Sequence, residues 1–303
     1  MHLRGGFFVV SQSFLQLNSI FISILIEAIP FVLIGVFISG LIQMFVTEEM
    51  MARIIPKNRF LAVLSGTFAG VLFPACECGI VPIARRLLLK RVPLHAAVAF
   101  MLTAPIINPI VLFSTFIAFG NKWDVVFYRG GLAIAVSLIA GLIISYQFKG
   151  NQLIENGTHG HHHHGHASQS FLQKLGGTLR HAVDEFFSVG KYLIIGAFVA
   201  AAMQTYIKTS TLLAIGQNDV SSSLVMMGLS FVLSLCSEVD AFIASSFSST
   251  FSLGSLIAFL VFGAMVDIKN LLMMLGIFKK RFVFVLIAYI AVIVLAGSLL
   301  VKG

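Results

Sequence analysis

Two cysteines, Cys76 and Cys78, flank Glu77 in the stretch LFPACECGIVPIARRLLLKR, with Pro74 and Pro82 on either side. Thiolates favour soft or borderline metal ions, whereas carboxylates suit harder ones. The third and last cysteine, Cys236, lies in FVLSLCSEVDAFIASSF beside Glu238 and Asp240, and Asp267 follows in FLVFGAMVDIKNLLMML. A charge at the centre of a bilayer costs about 2.5–3.5 kcal/mol even on the lenient insertion scale, so acids in such apolar surroundings point to function. Thiols beside acids specify a site for a zinc-like ion or a thiophilic metalloid, and Glu238 is the first candidate for exchanging a proton as cargo is released. The plainer alternative is a pair of proline-kinked packing helices with inert buried thiols. Lys269 either pairs with Asp267 or snorkels to an interface, and Glu27 either lines a cavity or faces a partner helix.

A second group of candidate ligands lies apart. The stretch NGTHGHHHHGHAS holds His159, His161, His162, His163, His164 and His166 among glycines. Neutral imidazole binds zinc, copper and nickel, and flexible glycines let several rings converge on one ion. The expected role is a metal-contacting sensor or reservoir rather than a translocation site, with zinc or another transition-metal ion as substrate or regulator. The bland alternative is a solvated low-complexity loop. No resident cofactor is expected.

The elements that must position these groups are membrane helices. Of 303 residues, 58% are hydrophobic and only 11% charged, with a mean hydropathy of +0.99. Such a chain cannot cover itself with a polar surface, so the expectation is an all-α polytopic protein embedded in the cell membrane. Eight candidate spans are read at residues 18–46, 60–90, 93–119, 124–148, 186–207, 223–247, 253–276 and 282–301. No small-residue cleavage site precedes the first, so no removable signal peptide is expected. The net charge of +8 comes from basic residues scattered through short loops, which fits cytoplasmic anchoring and not nucleic acid. Placing Arg85, Arg86, Lys90 and Arg91 inside gives cytoplasmic termini, although Lys279, Lys280 and Arg281, together with Lys122, then fall outside.

An internal repeat divides the chain. PFVLIGVFISGLIQMFV from Pro30 matches KYLIIGAFVAAAMQTYI from Lys191, LFPACECG matches SLCSEVDA, and TAPIINP matches GAMVDIKN. The expected organisation is a first membrane repeat at 1–148, a His-rich polar linker at 149–180 and a second repeat at 181–303. Four crossings per half make the halves parallel, whereas one segment that turns back without crossing makes them inverted. Pro74 with Pro82, and Pro105 with Pro109 around Asn108, predict helices broken near mid-membrane, which are tolerated only around a polar cavity or against protein. The candidate substrate-binding set is therefore Cys76, Glu77, Cys78, Asn108, Cys236, Glu238, Asp240 and Asp267.

These motifs, PACECGIVPIARRLLLKRVP and TAPIINPIV in the first half with CSEVDAF and GAMVDIKN in the second, resemble the predicted permease family that includes ArsP-like efflux permeases for trivalent methylarsenicals. The resemblance implies transport, and it implies arsenical recognition by Cys76, Cys78 and Cys236. The expected activity is that of a transporter and not an enzyme, and since no phosphate-cradling loop is present, transport is expected to be secondary and not that of a primary pump. Expected partners are the lipid bilayer, a small inorganic ion or metalloid substrate, and a soluble or membrane metal-binding protein. Two alternatives stand beside this reading. One is a membrane thiol-redox protein, disfavoured because three cysteines leave one unmatched and a two-residue spacing closes a strained ring. The other is an accessory membrane subunit of a metal-handling complex.

Overall fold

The computed structural model describes residues 3–47, 49–51, 55–73, 76–148, 150–154, 171–206 and 218–301. The six histidines at 159–166, and Pro74 with Ala75, lie outside the described residues. The described chain is helical: α1 Leu3–Phe45, α2 Arg59–Leu72, α3 Glu77–Leu89, α4 Leu94–Thr103, α5 Pro109–Ala118 and α6 Trp123–Gln147, then α7 Phe171–Tyr206, α8 Asp219–Leu233, α9 Ser237–Ser246, α10 Leu253–Met265, α11 Ile268–Ile277 and α12 Lys280–Ser298. Among the described residues the only extended pairing is a single bridge, Leu153 with Phe278. With five stretches among the described residues long and apolar enough to cross a bilayer, this is an all-α polytopic membrane protein.

Four of the eight expected spans are each interrupted, and the stops have local causes. In the first half Phe73 leaves α2 in extended conformation, and Cys76 caps α3. Asn108 accepts a hydrogen bond from the Ile110 N–H, and Pro109 occupies the first helical position of α5, where its missing N–H is harmless. The break expected near Pro82 is not there: α3 runs through it, forgoing one backbone bond to the Cys78 carbonyl. In the second half no proline acts. Ser234 ends α8 in the left-handed region at φ 47°, and Asp267 caps α11 by accepting from the Asn270 N–H at 2.6 Å. Backbone groups freed by these breaks find partners: Ser234 Oγ accepts from the Ile268 N–H, and Asn270 Nδ2 donates to the Met265 carbonyl.

The directions of the half-helices change the topology. Helix α2 runs alongside α4 in the same direction, because Gly66 abuts Ala96 while Gly70 abuts Phe100 and Thr103. The start of α2 also clusters with the end of α3, Ala62 with Leu87, Leu88 and Val92. Helices α2 and α3 therefore form a hairpin that enters the membrane and returns. The second half repeats this: Ser223 meets Ser255 and Gly263 abuts Ser230, so α8 parallels α10 and α9 must turn back. By contrast α4 and α5 run on antiparallel to α6, with Ser137 against Thr103 and Arg129 against Thr115, and together make one crossing.

Each half thus crosses three times, and the eight-crossing count is corrected to six crossings plus two re-entrant hairpins. An odd number of crossings inverts the second half relative to the first. The matched helices α6 and α12 do run antiparallel, with Leu132 at Gly297 and Phe148 stacked edge-on against Phe282. The count from which cytoplasmic termini are expected changes with it. Lys57, Arg59, Arg91, Lys279 and Lys280 now share one side, and only Lys122 of the described loop cations lies on the other. By the positive-inside rule the crowded side is expected to be cytoplasmic, with the start of α1 and the end of α12 across the membrane from it. The conflict over Lys279–Arg281 disappears because the hairpins do not cross.

Candidate functional site

The tips of the two hairpins meet the breaks of the opposite half: α3 packs on α11, and α9 packs on α5. Close approach is built in by glycine. A Cβ on Gly35 of α1 would lie 2.6 Å from the Gly79 carbonyl oxygen of α3, and one on Gly196 of α7 would lie 2.9 Å from the Lys269 Cα of α11. These contacts bring α1 and α7 against the first turns of α3 and α11, where the charged groups are.

A small cavity results, about 10 Å³, room for a single water-sized occupant. The first turn of α3 contributes Cys76, Glu77 and Cys78; α9 contributes Cys236, α11 Lys269, and α1 Glu27 beside the apolar Ala28 and Phe31. All three thiols are free and buried. Lys269 Nζ lies 3.8 Å from Glu77 Oε1 and 3.4 Å from Asp267 Oδ2, and none of the three residues is more than 3% exposed. Ser237, the repeat counterpart of Glu77, donates its hydroxyl to Glu77 Oε2 at 3.4 Å, so the matched residues touch where the halves meet. The Cys236 thiol donates to Glu238 Oε2 at 2.7 Å.

The structure brings together Cys76, Glu77, Cys78 and Cys236 around the cavity, with Asp267 behind Lys269 and Glu238 against Cys236. Two candidates stand apart. Asn108 spends its side chain on capping α5. Asp240 turns from the cavity toward Gly263 of α10, and neither of its buried oxygens has a hydrogen-bond partner. Of the alternatives left open, Lys269 pairs with Asp267 instead of snorkelling, and Glu27 reaches the cavity. Among the described residues no three His, Cys, Asp or Glu side chains are close enough to hold a metal ion together.

One residue escaped sequence reasoning. Arg129 of α6 is fully buried, donating from Nη1 to Thr115 Oγ1 at 2.6 Å and from Nη2 to the Ser237 carbonyl at 3.0 Å. The signal was present, an arginine seven residues into an otherwise apolar span. It ties α9 to α5 and α6 behind the cavity.

Comparison with known proteins identifies the family. A family model described as predicted permease matches residues 13–303. UPF0718 protein YcgR of Bacillus subtilis is 85% identical, covering 96% of this chain and 99% of its own length. A Streptococcus mutans protein named "putative two-component membrane permease complex subunit" is 46% identical, covering 96% of both chains. UPF0718 protein YraQ of Escherichia coli is 30% identical over 37% of this chain. No solved structure matches. With a family match spanning both halves, both hairpins and every cysteine, this multi-pass membrane protein belongs to the predicted permease family.

Proposed function

We propose that this permease carries a thiophilic metal ion or metalloid through the cavity between the hairpin tips, with Cys76, Cys78 and Cys236 as the selective ligands. The observation behind the reading is that every thiol in the chain, drawn from two hairpins of opposite halves, lines one buried cavity. Soft ligands select soft cargo. A trivalent organoarsenical with two hydroxide ligands suits the pocket best, because exchanging both hydroxides for two thiols releases two waters and changes no net charge: the thiol protons leave on the water. A divalent ion instead has to compete with the Lys269 ammonium for Glu77 and Asp267, and must displace thiol protons. Asn108 and Asp240 take no part in holding the cargo in this reading.

The cavity holds one water-sized occupant, so cargo enters only as the hairpins separate. Inverted repeats meeting at mid-membrane supply two such openings, one toward each side. The histidine-rich linker is proposed to collect metal without joining the translocation path; replacing its six histidines by serine should abolish zinc binding by the purified protein and leave organoarsenical flux unchanged.

Flux assays in liposomes test the reading, with zinc and a trivalent phenylarsenical as probes. Cys76→Ser, Cys78→Ser and Cys236→Ser should each lower flux at least tenfold, and full flux in the triple variant would overturn the thiol site. A second reading follows from the Streptococcus mutans relative, whose name makes it one subunit of a two-component complex. In that reading the chain carries cargo only with a second component, and liposomes holding this chain alone stay tight.

A further inference from the structure

The near-twofold relation between the halves fails at one place. Helices α3 and α11 are covered by α1 and α7, whereas their counterparts α5 and α9 have bare outer faces. Ile110 and Ile117 of α5 are exposed where the matched Lys269 and Gly276 are buried, and Val239 and Phe242 of α9 are exposed where Gly79 and Pro82 are buried. Apolar side chains facing lipid need no partner. Glu238 does: it is half-buried, on the same side of α9 as Phe242 one turn on, at the tip of a hairpin deep in the membrane. Glu27, half-buried at the middle of the apolar stretch of α1, reaches the same cavity.

Each carboxylate left facing hydrocarbon costs about 2.5–3.5 kcal/mol, and neither forms an ion pair among the described residues. Of the cations buried in the spans, Lys269 is paired with Glu77 and Asp267, and Arg129 directs Nη1 and Nη2 to Thr115 and the Ser237 carbonyl, leaves its Nε without a partner and forms no ion pair with Glu238 or Glu27. We propose that the outer face of α5 and α9 seats a transmembrane helix of a second, different membrane protein, which brings a lysine, arginine or histidine to mid-membrane depth opposite Glu238 and Glu27 and closes the side of the thiol cavity. The proposal rests on reading the chain as one component of a two-part permease. A second copy of this chain fits poorly. A twofold contact through this face sets acids against acids, and a head-to-tail contact offers Lys57, Arg91 and Lys279 only at the ends of helices; the one exposed cation inside a described span and away from its ends, Lys191 of α7, lies over the ring of its neighbour Tyr192.

The test is photo-cross-linking in intact cells that make the protein at its natural level. Benzoylphenylalanine replaces Phe242 or Phe113 on the bare face, and Phe284 on the lipid-facing side of α12 as control. Expected is one adduct from the first two positions only, joined through a membrane-spanning peptide that contains a lysine, arginine or histidine. Glu238→Gln should cut its yield at least fivefold and Glu238→Asp should not, and changing the partner's cation to glutamate together with Glu238→Lys should restore it. Adducts of the chain with itself, labelling of lipid alone, or equal yield at Phe284 overturns the proposal. Cross-linking needs no cargo, so a normal adduct with no flux refutes the thiol carrier only. Full flux by the chain alone, with no adduct in cells, refutes the partner only.

Discussion

Replacing Lys269 by alanine probes the joint between the halves. Its ammonium lies 3.8 Å from one carboxylate of the first half and 3.4 Å from one of the second. At an effective dielectric constant of about 20, each contact attracts by roughly 4–5 kcal/mol before desolvation and acid–acid repulsion are subtracted. Truncation leaves Glu77 and Asp267 buried without a counter-charge, and the expected loss of stability is about 3–5 kcal/mol. Thermal or denaturant unfolding of the purified protein in one detergent reads it. A triple variant, Lys269→Met with Glu77→Gln and Asp267→Asn, should recover most of the loss, because neutral groups of similar volume remove both attraction and desolvation, and asparagine keeps the cap on α11. An alanine variant within about 0.5 kcal/mol of the parent, or a triple variant no better than the single one, would show that Lys269 does not balance the two acids.

Other perturbations address the remaining joints. Gly35→Ala should destabilise by about 1–3 kcal/mol because its Cβ meets the backbone of Gly79, whereas Gly228→Ala, with nothing within 4 Å, should be neutral or stabilise by up to about 1 kcal/mol in the same unfolding assay. Arg129→Met should cost about 2–4 kcal/mol through its lost bonds to Thr115 and Ser237, with Arg129→Lys intermediate. In sealed vesicles of known orientation, an impermeant thiol reagent should label Lys57→Cys and Arg91→Cys from one side and Asn121→Cys from the other. Eight full crossings would instead separate positions 57 and 91.

Much of this was legible in residue types. Pro74 and Pro109 mark the first-half breaks, and the repeat carries them to a second half that has no proline at the matching positions. There the breaks depend on Ser234 in a left-handed conformation and on the Asp267 cap, and neither choice is visible without its neighbours. The turn-back of α2 and α3 was hidden for a different reason. An apolar stretch of some thirty residues has the same composition whether it crosses once or folds into a hairpin. What decides is the partner of Gly66 and Gly70: small residues four apart announce close packing, but not that α4 is the helix packed. Arg129 went unread because its value lies in Ser237, 108 residues away.

The hairpins matter beyond topology, because they determine how the cavity can work. If the chain crossed eight times, the halves would be parallel, and both would present their matched sites toward the same side. Three crossings per half invert them, and the touching pair Glu77 and Ser237 then stands where the two opposed hairpins meet. This arrangement suits the proposed alternating carrier, since exchanging the conformations of two inverted halves moves the opening from one face to the other. The repeat is unequal at the cavity, with Cys78 matched by Glu238 and Glu77 by Ser237. The α3 hairpin therefore contributes two thiols and an acid, the α9 hairpin one thiol and an acid. In the proposed carrier, cargo held by thiols from both hairpins would lose at least one sulfur when they part and stay with the richer one. That inequality predicts that Cys236→Ser weakens occlusion of a bound organoarsenical more than its initial capture, while Cys76→Ser and Cys78→Ser weaken capture itself. Stopped-flow binding and single-turnover release separate the two steps, and equal effects of all three substitutions on capture would refute the argument.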